Sequence, residues 1–522
     1  MNKNNCKVLG LETQQSTSET LFGHPKGLYY LFFAELWERF SFYGMRALLT
    51  LYMVEKVFAS MANRDVSAAA IYASYGSLVY ASAVIGGKIA DVILGFRKSI
   101  IFGGILMAIG QFVLAFHQTE NMVFFAGLAF IIVGNGFFKP NISSFVGTLY
   151  PQGDKRKDSG FTIFYMGINI GAFVAPLLCG WLASSYGWEY GFGIAGAGML
   201  FGLIVFNSGI KSNVFKDEGI PSDPGILKRK YLGITVKNLV FIIAMIFVPF
   251  VAILISAYQP VRFGNGFFGD SNLVNLLFQV FGIAVGFYLF YIVLKSKADE
   301  RKKLTVALFL TVFMTIFWGF GELSGSIITL FAARNVNLVV VNAAQSNSIW
   351  PMFVIILALP TSYFWTWLSR RRLNPFTPYK FAFGMFFLGI AFAILSLSRE
   401  VADATGKVPF IFLIILYFFI TVGELFMSPV GLSKITDLSP KRYLGFLMGV
   451  WFLSSTYAFQ IVGFIAKKLA IENSSNAESV NGLNSLMIYT EGFRLIAMYA
   501  IGASFLILLL APILKKWMGN VH

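Results

Sequence analysis

The chain has 522 residues, of which 57% are hydrophobic, 17% aromatic and only 13% charged, with a mean hydropathy of +0.70 and a formal net charge of +16. A water-soluble chain of this size carries roughly a quarter charged residues, so a soluble globular protein is excluded. A nucleic-acid binder, the other common source of a pI of 9.6, is excluded by where the charge lies: the basic residues sit in short, separated loops and make no continuous groove.

Apolar runs of about 20 residues, enough to cross a hydrocarbon layer roughly 30 Å thick, recur along the chain. In order they cover residues 30–54, 68–95, 99–117, 122–149, 158–184, 189–209, 233–257, 274–294, 304–333, 348–368, 379–398, 409–437, 441–467 and 491–515. They lack the period-two alternation of barrel strands, and backbone in lipid must satisfy its own hydrogen bonds. An all-α integral membrane protein with 14 transmembrane helices is therefore predicted. The basic clusters Arg97–Lys98, Lys155–Lys157, Lys228–Lys230, Arg301–Lys303 and Arg370–Arg372, with Lys434, Lys441, Arg442, Lys515 and Lys516, all fall on one side of these spans. The positive-inside rule places that side, and both termini, in the cytoplasm of a multi-pass protein of the cell inner (plasma) membrane.

Residues 1–28 are polar, lack the apolar segment of a cleaved signal, and read as a disordered cytoplasmic arm. Cys6 and Cys179 lie in different phases and are not expected to pair, and His24, His117 and His522 are too scattered to hold a metal. An internal repeat relates GNGFFKPNISSFVGTLYP, residues 134–151, to GELFMSPVGLSKITDLSP, residues 423–440, without a gap. The organisation that follows is an N-terminal bundle of six helices at 29–210, a cytoplasmic linker at 211–232, two inserted helices at 233–295, a second six-helix bundle at 296–516 and a short tail at 517–522. Paired halves of this kind are a plan of secondary transporters, with the substrate site between them near the midplane.

Charged side chains inside the spans carry the chemistry, because each costs about 2.5–3.5 kcal/mol at the bilayer centre even on insertion scales. Glu35, Glu38, Arg39, Lys139, Glu322 and Glu424 are the candidates. Glu35, Glu38 and Arg39 stand at i, i+3 and i+4 on one helical face, so each carboxylate reaches the guanidinium. Lys139 precedes Pro140, which breaks the helical ladder and permits a bend; its protonation is expected to follow the pairing of Glu35 and Glu38. Glu322 and Glu424 read as unpaired carboxylates of the second half, which hold protons or meet a cationic group of the substrate. Asp91 with Arg97 reads as a conformational latch, and Glu55, Lys56, Arg64 and Asp65 as solvated residues of an outer loop.

These residues carry a resemblance. ELWERFSFYG resembles the ExxERFxYYG motif of the proton-dependent oligopeptide transporters of the major facilitator superfamily, and GGKIADVILGFRK the loop motif of that superfamily. FTIFYMGINIGA is similar to FYxxINxG, GNGFFKPN to GxGxxKPN, and GELFMSPVGLS with MGVWFL to the late-helix signatures. The resemblance spans about residues 30–470, and motifs in matching order are far more specific than any one of them. It implies a major facilitator fold, two six-helix bundles plus two extra helices, that imports di- and tripeptides with protons and needs no other cofactor. Glu35, Glu38, Lys139 and Glu322 are implied in proton coupling. Arg39 and Lys139 are implied near the substrate carboxylate, Glu424 at the peptide amino terminus, and Tyr43, Tyr80, Asn169, Trp318, Trp451 and Ser455 around the peptide.

Three positions depart from the pattern. Phe42 replaces the first tyrosine of YYG, Leu323 stands where glutamine follows the seventh-helix glutamate, and Trp350 replaces asparagine before Pro351. The last bears on the pocket, since an indole there shrinks it or alters which peptides enter. A major facilitator carrier of another small zwitterionic or drug-like substrate is the alternative. A membrane enzyme would need a nucleophile with its base, or a metal constellation, and the sequence offers neither.

Overall fold

In the computed structural model, residues 20–116, 121–151, 153–221, 223–231, 233–259, 272–470 and 482–519 are described. Fourteen helices of 21 residues or more run through them. The first six are α1 (Lys26–Tyr52), α2 (Arg64–Ile89), α3 (Gly95–Phe116), α4 (Asn121–Thr148), α5 (Lys157–Tyr186) and α6 (Trp188–Lys211). Next come α7 (Val236–Ser256) and α8 (Leu273–Lys295), and then α9 (Ala298–Gly321), α11 (Ile349–Arg370), α12 (Thr377–Leu397), α13 (Ile411–Leu438), α14 (Leu444–Leu469) and α15 (Gly482–Met518). A short helix, α10 (Ile327–Asn335), continues α9 after a break. By composition alone twelve stretches are apolar enough to span, one of them running through both α2 and α3. The remaining helix is α1, whose middle carries Glu35, Glu38 and Arg39.

The first six helices form one bundle, α1 packing on α5 and α6 and α3 on α4 and α6, while α9 and α11–α15 form the second around α12 and α13. The bundles meet along α2 with α14 and α5 with α11; the inserted helices lie outside, α7 on α4 and α8 on α9. Most of the α8 surface is uncovered, with Phe281, Phe287 and Phe290 exposed, as suits a helix facing lipid.

The internal repeat has a packing counterpart. A Cβ added at Gly134 would stand 2.5 Å from the carbonyl oxygen of Gly103, and one added at Gly423 would stand 2.7 Å from that of Gly384. Each half thus uses the same glycine of the repeat to bring two helix backbones together, α4 on α3 and α13 on α12, as membrane helix pairs commonly do.

Three expectations are corrected. The arm predicted through residue 28 is structured from Thr20 onward. Thr20–Leu21 pairs with His24–Pro25, His24 Nδ1 shares a 2.8 Å hydrogen bond with the Tyr150 hydroxyl, and Arg156 donates to the Gly23 carbonyl at 3.0 Å. Beside it, hydrogen bonds from Arg156 hold the Asp154 carboxyl down to about 2, so this loop contact stays charged throughout the physiological range. Arg97 makes no ion pair with Asp91 among the described residues; its guanidinium binds the carbonyls of Lys216 and Glu218 in the linker, and Asp91 is exposed. Asp65 is buried, and Arg334 donates to its two oxygens at 2.5 and 2.8 Å and to the Tyr489 hydroxyl at 2.7 Å. The sequence reading missed this pair because its partners lie 269 residues apart and belong to different halves. Cys179 is buried and free, whereas Cys6, His117 and His522 lie outside the described residues.

Further bonds join the halves on the face opposite the two chain ends. Asn342 donates to the Gly180 carbonyl at 2.8 Å, Gln345 to that of Leu177 at 2.9 Å and Ser348 to that of Phe173 at 2.7 Å.

Two outcomes test this packing by thermal unfolding in detergent. Gly134→Ala is expected to destabilise by about 1–3 kcal/mol, since backbone cannot step aside for a methyl group, whereas Gly449→Ala, with nothing within 4 Å of the added Cβ, is expected to be near neutral; equal midpoints would contradict the close approach. Asp65→Asn, which leaves Arg334 facing a neutral partner, is expected to cost about 3–5 kcal/mol and to be partly rescued by adding Arg334→Leu. An unchanged midpoint in Asp65→Asn would show that the pair is not part of the closure.

Candidate functional site

Three polar clusters lie in the middle of the spans. The first is local to α1. Arg39 donates through Nη2 to Glu38 Oε1 at 2.6 Å and through Nε to Glu38 Oε2, and the same Nε lies 3.3 Å from Glu35 Oε1. All three side chains are at most 2% exposed. The expected sharing of one guanidinium by two carboxylates is therefore present. Glu35 Oε2 is buried with no hydrogen-bond partner, and Asn135 of α4 offers its amide to Glu38 Oε1 at a long 3.4 Å. Lys139, one turn beyond Asn135, makes no ion pair among the described residues; its ammonium lies 4.3 Å from the centre of the Tyr80 ring, a cation–π contact.

The second cluster crosses between the halves. Arg46 Nη2 bonds Glu322 Oε2, and Arg46 Nε donates to the Tyr72 hydroxyl at 2.8 Å. Glu322 is thus paired, not free as its sequence context suggested. The helix breaks here because α9 ends at Gly321, a 3-10 turn covers Glu322–Gly325, and Ser326 takes non-helical angles before α10 begins. The break presents a carbonyl, that of Gly325, which accepts from Thr50 of α1 at 2.7 Å. A side chain at Gly325 would strike the Tyr72 hydroxyl, so glycine is required for this approach. Broken helices that turn backbone toward a cavity are a common way to build midplane sites in transporters.

The third cluster belongs to the second half. Trp350 Nε1 donates to Glu424 Oε2 at 2.8 Å. Its ring stacks on Trp318 at 6.0 Å between centroids and on Tyr417 at 6.4 Å.

The second and third clusters meet around a cavity of about 240 Å³ between the halves. Of the residues expected at the site, Tyr43, Asn169, Trp318, Glu322 and Glu424 line it, with Arg46, Tyr165, Asn347 and Trp350 among the others. Glu35, Glu38, Arg39, Lys139, Tyr80, Trp451 and Ser455 do not line it. Arg39 and Lys139 lie behind it in the first half, and Tyr43 connects the layers: its ring stands 5.9 Å from the Arg39 guanidinium and 5.7 Å from that of Arg46. Trp451 is buried against Gly431 of α13. Phe42 is buried beneath the Arg39 guanidinium at 5.1 Å, and Leu323 is fully buried.

Arg46 is the residue that the sequence reading missed. Its signal was available, since it follows Arg39 by seven residues on α1 and so shares its face. Tyr165 and Asn347 carried no signal short of the fold.

Comparison with known proteins identifies the family. A family profile described as PTR2, POT family, matches residues 97–480. The chain is similar to the peptide transporter YePEPT of Yersinia enterocolitica subsp. palearctica serotype O:3 (strain YE-P4), with 34% identity over 525 residues covering 98% of this chain and 99% of the relative. It is also similar to the di-/tripeptide transporter of Lactococcus lactis subsp. cremoris, with 34% identity over 460 residues covering 85% and 90%. Among solved structures, a peptide transporter POT in complex with sulfate is 33% identical and aligns with a TM-score of 0.78 over 96% of this chain and 98% of that one. A POT family transporter in complex with 5-aminolevulinic acid is 28% identical and aligns with a TM-score of 0.77 over 95% and 98%. The motifs, the paired bundles and these matches place one conclusion beyond the fold itself: the chain belongs to the POT family of the major facilitator superfamily.

Proposed function

We propose that this chain is a symporter that imports di- and tripeptides with protons across the cell inner membrane by alternating access. The observation that carries this reading is a cavity between the halves, lined by Arg46 from the first half and by Glu322 and Glu424 from the second. A zwitterionic peptide carries a cation and an anion a fixed distance apart, and charge-assisted bonds to both ends bind it whatever its side chains are. Trp318, Trp350 and Tyr43 supply the apolar surface against which those side chains lie.

Coupling follows from the pairing. Arg46 has its charge cancelled by Glu322 across the halves. A proton delivered to Glu322 removes that cancellation, loosens the closure and frees the guanidinium for the peptide carboxylate. Glu35, with one unpartnered buried oxygen, can accept a proton without losing the Glu38–Arg39 pair, so it is the natural seat for a proton held in the first half. Lys139, facing Tyr80 and not a carboxylate, is then available to meet Glu35 or Glu38 when Arg39 turns to the substrate. Protons are the coupling ion and no other cofactor is invoked; both termini are cytoplasmic, which makes the bonded face the extracellular one. Lipid contacts the exposed apolar faces.

A second reading, import of another small zwitterion, is favoured by the cavity volume, which lies below the roughly 300 Å³ at which ordinary ligand pockets begin.

Uptake of labelled dialanine into proteoliposomes with an alkaline lumen tests the first reading. The intact chain is expected to accumulate dialanine and to lose that accumulation with a protonophore, and Lys139→Ala is expected to abolish it. Glu424→Ala is expected to raise the half-saturating concentration by about tenfold to a hundredfold, the worth of a charged hydrogen bond. Glu322→Gln is expected to keep exchange of dialanine across the membrane while losing accumulation. Absence of both uptake and exchange in a folded preparation of the intact chain would sink the peptide reading.

A further inference from the structure

We propose that Trp350 limits the length of the peptide the cavity accepts, so that dipeptides are taken in preference to tripeptides. The inference rests on the peptide reading above and deepens it.

Trp350 occupies the first turn of α11, at the boundary of the cavity nearest Glu424. Its indole N–H takes one of the two Glu424 oxygens at 2.8 Å, which leaves one oxygen for a ligand. An ammonium group entering the site therefore meets Glu424 from the side not covered by the indole, beside the ring and not beyond it.

The ring is held in this position from several directions. It stacks on Trp318 with the planes 24° apart and on Tyr417 with the planes 27° apart. Its far edge lies 3.0 Å from where a Cβ of Gly321 would be, so the missing side chain of α9 makes the space that the indole fills. Turning it aside to admit a larger ligand would break the hydrogen bond to Glu424 and both stacking contacts together. A bulky side chain with that many restraints acts as a wall.

With the ring in place the cavity volume is about 240 Å³. The fixed charges, Arg46 on α1 and Glu424 on α13, bound this space from opposite halves. A peptide that satisfies both with its termini has its length set by their separation, and each further residue adds up to about 3.3–3.6 Å of extended chain. The indole occupies the room into which a third residue would have to fold.

The test compares dialanine and trialanine as competitors of labelled dialanine uptake, in the intact chain, Trp350→Asn and Trp350→Phe. In the intact chain trialanine is expected to compete at least about tenfold less well than dialanine, the scale of discrimination that pocket size imposes. Trp350→Phe, which keeps most of the ring, is expected to retain that gap. Trp350→Asn is expected to close it to within about threefold, since a pocket without the wall separates the two peptides weakly. Trp350→Leu serves with the same expectation where Trp350→Asn fails to give a monodisperse protein. Equal competition by both peptides in the intact chain overturns the proposal, and so does a gap that survives loss of the ring. Loss of dialanine uptake from the intact chain is a different outcome, which overturns the peptide reading and this inference with it.

Discussion

The contact on which the rest of this structure depends is the ion pair between Arg46 and Glu322. It joins the two halves through the middle of the membrane, with both side chains under 10% exposed. Such a pair is a poor source of stability, because desolvating two charges offsets most of their attraction, but breaking it by losing one partner is costly. A device with that asymmetry suits a switch. The surroundings are arranged to support it: Tyr72 and Thr50 secure the broken segment after α9, and Asp65 with Arg334 closes the same face farther out.

The other charges divide the work by location. Glu35, Glu38 and Arg39 form a compact group within α1, behind the cavity wall; in the proposed mechanism a proton held there does not touch the substrate. Glu424 stands in the cavity, held by an indole and not by a cation, so its charge remains available to a ligand. Tyr43 lies between the two arginines, and a shift of either guanidinium is felt at its ring. In the proposed mechanism the proton site and the peptide site are separate but adjoining, the arrangement that coupling between two ligands requires.

Much of this was legible in the sequence. Spans were readable because lipid leaves the backbone few options, and the repeat was readable because each half needs glycine at the same helix contact. The Glu35, Glu38 and Arg39 group was readable because its geometry is fixed within one turn of helix. What stayed hidden depends on contacts between distant segments. Arg46 went unread because its partner Glu322 lies 276 residues away in the sequence. Asp65 looked solvated because nothing local announces Arg334. Trp350 was visible as a substitution, whereas its hydrogen bond to Glu424 and its fit over Gly321 required the packing of α9, α11 and α13 together.

The proposal that the Arg46–Glu322 pair holds the face bearing Asp65 and Arg334 shut until a proton or peptide releases it is tested by a distance. Spin labels at Ser60 and Val340, exposed loop positions of the first and second halves, can be placed in a Cys6→Ser background and measured by double electron–electron resonance. One short distance is expected in the intact chain, and a second, longer population in Glu322→Gln. A single unchanged distance in Glu322→Gln would contradict it.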